Sequence, residues 1–211
     1  MTSRIEQLHG LYVVTPDHHP EPGWLADRVA AALRGGARLI QYRDKSGDRQ
    51  RREREADALR ALCTRHGALL IVNDDVELAL ATGADGVHLG QDDMPLNESR
   101  RRLGDRALIG ITCHDRLDLA IAAQLGGADY VAFGAIHPSP TKSAAVRAPL
   151  ALIAQARESL DIPICAIGGI DADNAPAVIR AGADMVAVIS GIFARPDPEA
   201  EARRLAAAFG A

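Results

Sequence analysis

The feature that most constrains this chain is an alternation of short apolar runs with longer stretches of helical character, repeated eight times. The apolar runs are Leu11–Thr15, Leu39–Arg43, Leu69–Asn73, Gly86–Gly90, Leu108–Thr112, Tyr130–Ala135, Ile164–Gly168 and Met185–Ser190. The helix-like stretches are Trp24–Leu33, Asp48–His66, Val76–Ala81, Leu96–Leu103, Leu117–Leu125, Pro149–Ser159, Ala175–Ala181 and Pro198–Ala208. Most of the apolar runs are continuous, as in parallel strands that are covered on both faces. Eight strand–helix units in 211 residues predict an α/β fold of the (β/α)8, or TIM-barrel, class.

A second repeat supports this prediction. A Gly-Ala-Arg or Gly-Ala-Asp triplet closes every second helix-like stretch, beginning at Gly36, Gly83, Gly127 and Gly182. The intervals of 47, 44 and 55 residues each match one pair of units, and glycine is expected where a helix ends in a left-handed turn. We therefore expect a single barrel domain over residues 1–211. A doubly wound open sheet is the alternative, and it is disfavoured because no GxGxxG motif follows the first strand.

Composition excludes several classes of protein. A hydrophobic content of 47% argues against disorder, and no apolar run approaches the 18 residues or so of a membrane span. The first ten residues lack the layout of a signal peptide, so a cytoplasmic location is expected. Three widely separated cysteines predict reduced thiols rather than a disulfide or zinc framework. A net charge of −4 with 3% aromatic residues gives no support to a nucleic-acid partner.

Polar residues are concentrated at one end of the predicted barrel, because they follow the strands. The carboxyl ends of barrel strands form the active-site face of such folds. Arg43, Lys45 and Lys142 lie in two of these connections and predict an anion site, with several charges suited to a polyphosphate. Solvated surface charges are the alternative interpretation of each.

Two further groups at this face suggest a metal and a second phosphate. Asp74 and Asp93 follow neighbouring strands, and two carboxylates plus substrate phosphates are a usual way to hold Mg²⁺. Capping of the next helices is the alternative role for such carboxylates, and it applies to Asp75 or Asp92 in particular. Gly168-Gly169 and Ser190-Gly191 close the last two strands, where barrels commonly bind a phosphate, although ordinary glycine turns remain the alternative.

Nucleophilic catalysis is not indicated by the pattern of cysteine, histidine and serine residues. Cys113 and His114 are adjacent in sequence, and chain neighbours rarely pair as nucleophile and base. His88 lies inside the fourth strand, where we expect a hydrogen-bonded core or rim residue. His137 is the one histidine in a connection that faces the predicted phosphates.

Six segments carry a resemblance to a known family. They are Gln41–Lys45 (QYRDK), Ile71–Asp75 (IVNDD), Asp85–Pro95 (DGVHLGQDDMP), Gly134–Lys142 (GAIHPSPTK), Ala166–Asn174 (AIGGIDADN) and Val188–Ser190 (VIS). Over nearly its full length the chain resembles the thiamine phosphate synthases, also called thiamine-phosphate pyrophosphorylases. The resemblance implies a Mg²⁺-dependent (β/α)8 enzyme. Such an enzyme joins 4-amino-2-methyl-5-hydroxymethylpyrimidine diphosphate to a thiazole phosphate and releases diphosphate.

Positions of this sequence that match the family's motifs imply roles for individual residues. The resemblance implies that the pyrimidine diphosphate is held by Gln41, Tyr42, Arg43, Asp44, Lys45, Asn73, Thr112 and Lys142. Within that set Arg43, Lys45 and Lys142 have the catalytic role of stabilising the leaving diphosphate. It also implies Asp74 and Asp93 as Mg²⁺ ligands, and a thiazole phosphate site formed by Ser139, Pro140, Thr141, Gly169, Ile189 and Ser190. Thr112 stands where the family usually has serine, and Ser139 stands where it commonly has threonine, so both positions keep a hydroxyl group. Ala135 stands where proline is common in the family, and His137 stands where an aromatic residue is common.

Two other functions are weighed against the synthase. A thiazole tautomerase of the same fold does not need the full diphosphate set, and His137 is the feature that favours it. A non-catalytic protein that binds thiamine precursors needs no Mg²⁺ carboxylates. Small molecules are the expected partners in all three cases, and a homo-oligomer is left open.

Overall fold

The computed structural model describes residues 5–17, 19, 23–138 and 147–210. Eight parallel strands close into a barrel in the order β1 to β8, with β8 hydrogen-bonded to β1. The strands are β1 Gly10–Val14, β2 Leu39–Tyr42, β3 Leu69–Asn73, β4 Gly86–Leu89, β5 Leu108–His114, β6 Tyr130–Phe133, β7 Ile164–Ile167 and β8 Met185–Val188. The predicted (β/α)8 fold is confirmed, and the open sheet is excluded.

Helices surround the barrel in the predicted alternation. They are α1 Trp24–Arg34, α2 Arg49–His66, α3 Val76–Thr82, α4 Leu96–Leu103, α5 Leu117–Leu125, α6 Leu150–Ser159, α7 Ala175–Arg180, α8 Ser190–Phe193 and α9 Pro198–Ala207. None of the helices in the described residues is both long and apolar enough to cross a membrane.

Several strand boundaries differ from the prediction by one or two residues, and at β8 the difference changes the role of a predicted site residue. The eighth strand was expected to run to Ser190, but β8 ends at Val188 and Ser190 begins the short helix α8. The backbone leaves the extended region at Ile189 (φ −112°, ψ −81°), which turns the chain into the helix. Ser190 therefore belongs to a helix start rather than to a strand end.

The Gly-Ala-Asp repeat has a structural role at the amino-terminal end of the barrel. Asp85, Asp129 and Asp184 precede β4, β6 and β8. Each carboxylate accepts a hydrogen bond from a backbone N–H of the odd-numbered strand before it, which is β3, β5 or β7. Each also pairs with an arginine of the helix that precedes this odd-numbered strand, which is α2, α4 or α6. The N–H donors are Leu70, Ile109 and Ile164 at 2.9, 2.7 and 2.7 Å, and the arginines are Arg60, Arg100 and Arg157 at 2.6, 2.6 and 2.8 Å. The repeat therefore ties each odd-numbered strand from β3 to β7 to the next strand.

Removing one of these aspartate carboxylates is expected to destabilise the fold without changing the residues at the carboxyl ends of the strands. Asp85 is the most buried of the three, with a side chain 5% exposed. Asp85→Ala leaves Arg60 and the Leu70 amide without this acceptor, so the free energy of unfolding should fall by about 3–5 kcal/mol. Urea denaturation measures the change, with Asp57→Ala on the exposed face of α2 as the control. Equal midpoints for the two variants would contradict this role.

Candidate active site

The carboxylates of Asp74 and Asp93 meet at the carboxyl ends of β3 and β4. Asp74 has a left-handed backbone (φ 62°), which costs a non-glycine residue on the order of 1 kcal/mol or more, and its N–H donates to the carbonyl oxygen of His88 at 2.9 Å. Asp93 Oδ2 accepts from the N–H of Gly90 at 2.6 Å. Burial and the neighbouring Asp93 carboxylate raise the pKa of Asp74, whereas the ammonium of Lys45 opposes the rise.

This arrangement suits a divalent cation. Two adjacent carboxylates repel each other, and a cation shared between them relieves that repulsion. Within the described ranges no group of three or more His, Cys, Asp or Glu side chains converges as a metal site, so the protein offers two carboxylates here. That is the donor set with which Mg²⁺ commonly binds a phosphorylated substrate.

The neighbouring Asp75 has the helix-capping role that was weighed for this pattern. Its carboxylate accepts from the N–H of Leu78 at 2.9 Å and begins α3, and it also pairs with Arg52 at 3.0 Å. Asp92 does not cap α4, because Pro95 occupies that position.

Two of the three predicted cations lie at this face and are paired with carboxylates. The Lys45 ammonium lies 3.3 Å from Asp74 Oδ2. The Arg43 guanidinium is paired with Asp17, and its backbone is fixed by hydrogen bonds in both directions with the Thr15 hydroxyl, at 2.8 and 3.0 Å. The third cation, Lys142, lies outside the described residues. A bound anion would therefore have to compete with carboxylates for Arg43 and Lys45.

Tyr42 and Asp44 bind α2 rather than joining these cations. Strand alternation points Tyr42 outward, where its hydroxyl donates to Glu55 Oε2 at 2.9 Å. The Asp44 carboxylate accepts from the Ser46 N–H at 2.6 Å and pairs with Arg51 at 2.8 Å. Burial opposes ionisation of Asp44, but these two contacts outweigh it and hold its pKa below the usual value. The side chains thus brace the loop from behind, and their predicted contact with a substrate remains a prediction.

A continuous chain of hydrogen bonds crosses the barrel interior beneath the site. Gln41 Nε2 donates to the Tyr12 hydroxyl at 2.8 Å, which lies 2.8 Å from the Tyr130 hydroxyl. The Tyr130 hydroxyl lies 3.0 Å from His88 Nδ1, and His88 Nε2 lies 2.8 Å from Thr112 Oγ1. Burial lowers the pKa of His88 to about 4, so its imidazole is neutral at pH 7. The chain connects Gln41 on β2 with Thr112 on β5, two predicted ligands of the pyrimidine diphosphate.

His88 was expected to be a hydrogen-bonded core or rim residue, and this is confirmed. The two tyrosines were missed. The available signal was that Tyr12 and Tyr130 place polar hydroxyls inside otherwise apolar strands, where a buried hydroxyl needs a partner. Asn73, also predicted to contact the pyrimidine diphosphate, ends β3 and is paired in register with His88.

The predicted thiazole phosphate site is partly described. Gly169 has a left-handed backbone (φ 61°), and a Cβ there would lie 2.5 Å from the carbonyl oxygen of Pro138. The fold therefore requires glycine at this position whether or not a phosphate binds. Asn174 Nδ2 donates to the Gly169 carbonyl at 2.9 Å, while Ile189 packs partly buried against the core just before Ser190. Ser139, Pro140 and Thr141 lie outside the described residues.

The cysteines and histidines of this face do not form a nucleophile–base pair. All three cysteines are buried free thiols, and burial raises the pKa of Cys113 to about 12. His114 follows with an exposed side chain and a left-handed backbone (φ 52°). His137 lies in the β6–α6 connection, with a buried Nε2.

A closed parallel barrel with carboxylates and cations at its strand ends has the architecture of the (β/α)8-barrel enzymes. Comparison with known proteins narrows the class. The family model described as thiamine monophosphate synthase matches residues 11–192, and this chain belongs to that family of transferases of thiamine biosynthesis.

Individual relatives agree with the family. The chain is 71% identical over 209 residues to the thiamine-phosphate synthase of Thioalkalivibrio sulfidiphilus, covering 99% of both chains. It is 56% identical over 205 residues to that of Chromobacterium violaceum, covering 97% and 98%. The solved thiamine phosphate pyrophosphorylase from Pyrococcus furiosus is 34% identical, with a TM-score of 0.86 and coverage of 97% and 96%. The resemblance found in the sequence is thereby confirmed.

Proposed function

We propose that this chain forms thiamine phosphate by joining 4-amino-2-methyl-5-hydroxymethylpyrimidine diphosphate to 4-methyl-5-(2-phosphoethyl)thiazole or its carboxylated tautomer. Diphosphate is the second product. The observation that carries the proposal is the carboxylate pair Asp74–Asp93 beside the cations Lys45 and Arg43. A thiazole tautomerase or a non-catalytic binding protein has no need of this combination.

The reaction depends on stabilising a leaving group. The aminopyrimidine donates electrons towards its exocyclic CH₂, so the C–O bond can break before the new C–N bond forms. The bonding electrons leave on the diphosphate, where positive charge from Arg43, Lys45 and Lys142 stabilises them. Mg²⁺ held by Asp74 and Asp93 would supply further positive charge to the diphosphate oxygens. Asn73, Gln41 and Thr112 would hold the rest of the pyrimidine substrate in place.

The second half of the site would position the thiazole. Its ring nitrogen attacks the exocyclic carbon with its lone pair and carries no proton, so no general base is required. This agrees with the absence of a nucleophile–base pair among the described residues. Gly169, Ile189 and Ser190, with Ser139 to Thr141, would hold its phosphate and keep the nitrogen facing the carbon. With the carboxylated tautomer, loss of CO₂ accompanies the joining.

The Ser190 hydroxyl is expected to contribute mainly to thiazole phosphate binding. A hydrogen bond to a charged phosphate contributes on the order of 1.5–3 kcal/mol, so Ser190→Ala should raise the KM for the thiazole phosphate roughly 10–100-fold. Pyrimidine diphosphate affinity should change little, because its proposed contacts come from other strands. Steady-state kinetics and calorimetry measure the two effects, with the exposed Ser159→Ala as the control. Equal losses for both substrates would contradict the division of the site into two halves.

A product assay tests the proposed reaction itself. Purified protein is incubated with Mg²⁺ and either or both substrates, and thiamine phosphate and diphosphate are quantified. We expect equal amounts of the two products, only when both substrates are present. Conversion of the thiazole tautomer without diphosphate would identify a tautomerase, and binding without any product would identify a non-catalytic protein. Either result would overturn the proposal.

A further inference from the structure

A direction is assigned to the hydrogen-bond chain across the barrel by giving every buried hydroxyl proton an acceptor. The Tyr12 oxygen accepts from Gln41 Nε2, and a buried hydroxyl proton needs an acceptor, so we assign the Tyr12 proton to Tyr130, whose hydroxyl lies 2.8 Å away. The Tyr130 proton is then directed to His88 Nδ1. A neutral imidazole that accepts at Nδ1 carries its proton on Nε2, and this proton donates to Thr112 Oγ1. All four hydrogen bonds therefore point from β2 towards β5.

This direction determines what the two ends present. Gln41 uses one of its two amide N–H groups on Tyr12, which leaves the second N–H and the acceptor Oε1 for other partners. Thr112 accepts from His88, so its own hydroxyl proton is left to donate. An acceptor matches a substrate amino group, and a hydroxyl donor matches a diphosphate oxygen. The two ends thus complement the two polar parts of the pyrimidine diphosphate.

The three side chains in the middle of this hydrogen-bond chain, Tyr12, Tyr130 and His88, are too closely packed to rearrange easily. Tyr12 and Tyr130 are 1% and 0% exposed, and their rings meet edge to face with centroids 6.1 Å apart. The His88 ring stacks on Tyr130 at 5.5 Å. A Cβ at Gly110 would lie 2.0 Å from Tyr130 Cζ, so glycine leaves the space that this ring occupies. The rings are therefore fixed before any substrate arrives.

We propose that Tyr12, Tyr130 and His88 are positioning residues that make the site specific for a 4-amino rather than a 4-oxo pyrimidine diphosphate. In this proposal the hydrogen bond from Nε2 to Tyr12 keeps Gln41 Oε1 facing the substrate, where a 4-oxo group would meet a second acceptor. The inference rests on the proposed function, because it takes Gln41 and Thr112 as contacts of this substrate. It adds three residues that do not themselves need to touch the reacting atoms.

The first test measures binding, because the amino group also affects the chemical step. Dissociation constants for the 4-amino and 4-oxo pyrimidine diphosphates are determined by calorimetry with Mg²⁺ and without the thiazole. The wild type should prefer the amino compound by at least about tenfold, the scale of one well-placed hydrogen bond. In Tyr12→Phe the Gln41 amide can rotate, and the preference should shrink to within about threefold. Thr112→Val is the matched control, since it should weaken both ligands equally and leave the preference unchanged.

The second test is independent of any ligand. Nitrogen-15 NMR distinguishes the two tautomers of a neutral histidine, and His88→Gln assigns the His88 signals among the seven histidines. The inference requires a proton on Nε2 and none on Nδ1. A proton on Nδ1 would reverse the chain and overturn the inference.

The outcomes distinguish a failure of the proposed function from a failure of the positioning role. A wild type that binds neither compound would overturn the proposed function together with this inference. A wild type that prefers the amino compound while folded Tyr12→Phe keeps that preference would overturn the positioning role alone. If Tyr12→Phe fails to fold, Tyr130→Phe interrupts the same chain one step later, and its unchanged preference would have the same meaning.

Discussion

Replacing Asp93 by asparagine is expected to lower the rate of thiamine phosphate formation by at least about 100-fold, the scale of losing one positioned electrostatic contact. The fold should survive, because an asparagine oxygen can still accept the Gly90 N–H and the residue lies in the β4–α4 loop. Without the second carboxylate, Asp74 alone would hold the cation. Initial rates at ordinary Mg²⁺ concentration measure the loss.

Asp92→Asn is the matched control for this variant. It removes the same charge one residue away, and we expect near-normal activity. Thermal denaturation of the metal-free proteins gives a second readout: Asp93→Asn should be no less stable than the wild type, because the substitution removes the charge that raises the pKa of Asp74. Near-normal activity of Asp93→Asn would contradict the metal assignment.

Replacing Lys142 by alanine is expected to lower kcat on the order of 100-fold, with a much smaller effect on the KM for the thiazole phosphate. Negative charge grows on the diphosphate as the C–O bond breaks, so a cation placed there stabilises the transition state more than the bound substrate. Steady-state kinetics with each substrate varied in turn separates the two constants.

Arg147→Ala controls for the loss of a cation from the same region, because Arg147 is exposed at the start of the described segment after this loop. Its kinetics should stay close to those of the wild type. An increase in the thiazole phosphate KM alone in Lys142→Ala, with kcat unchanged, would place Lys142 in the other half of the site.

The fold was predictable because each barrel strand is a short apolar run followed by a stretch of helical composition. The Gly-Ala-Asp repeat indicated the pairing of units, although its role in tying strands together through Asp85, Asp129 and Asp184 required the structure. Helix α8 was missed because four residues directly after a strand carry no helical periodicity. The carboxylate pair was predictable for a general reason, since the ends of neighbouring parallel strands meet at one face.

Gln41 and Tyr42 are neighbours in the sequence, but their side chains lie on opposite sides of the barrel wall. Matching to a family motif assigned Gln41 to Lys45 to one substrate, but strand alternation sends Gln41 into the barrel and Tyr42 out to α2. The alternation was available in the sequence and would have separated them. The hydrogen bond between Tyr12 and Tyr130 was not available, because it joins residues 118 positions apart across a closed barrel. Such contacts depend on barrel closure and on the register of every intervening strand.

The magnesium site proposed at Asp74 and Asp93 would hold Mg²⁺ against the diphosphate of the pyrimidine substrate. Calorimetric titration of the wild type and of Asp93→Asn with the pyrimidine diphosphate, in Mg²⁺ and in a chelator, tests this metal assignment most directly. We predict that Mg²⁺ tightens binding to the wild type and that Asp93→Asn loses this difference while still binding the substrate weakly through Arg43 and Lys45. Equal affinity of the wild type with and without Mg²⁺, or an undiminished Mg²⁺ effect in Asp93→Asn, would contradict the claim.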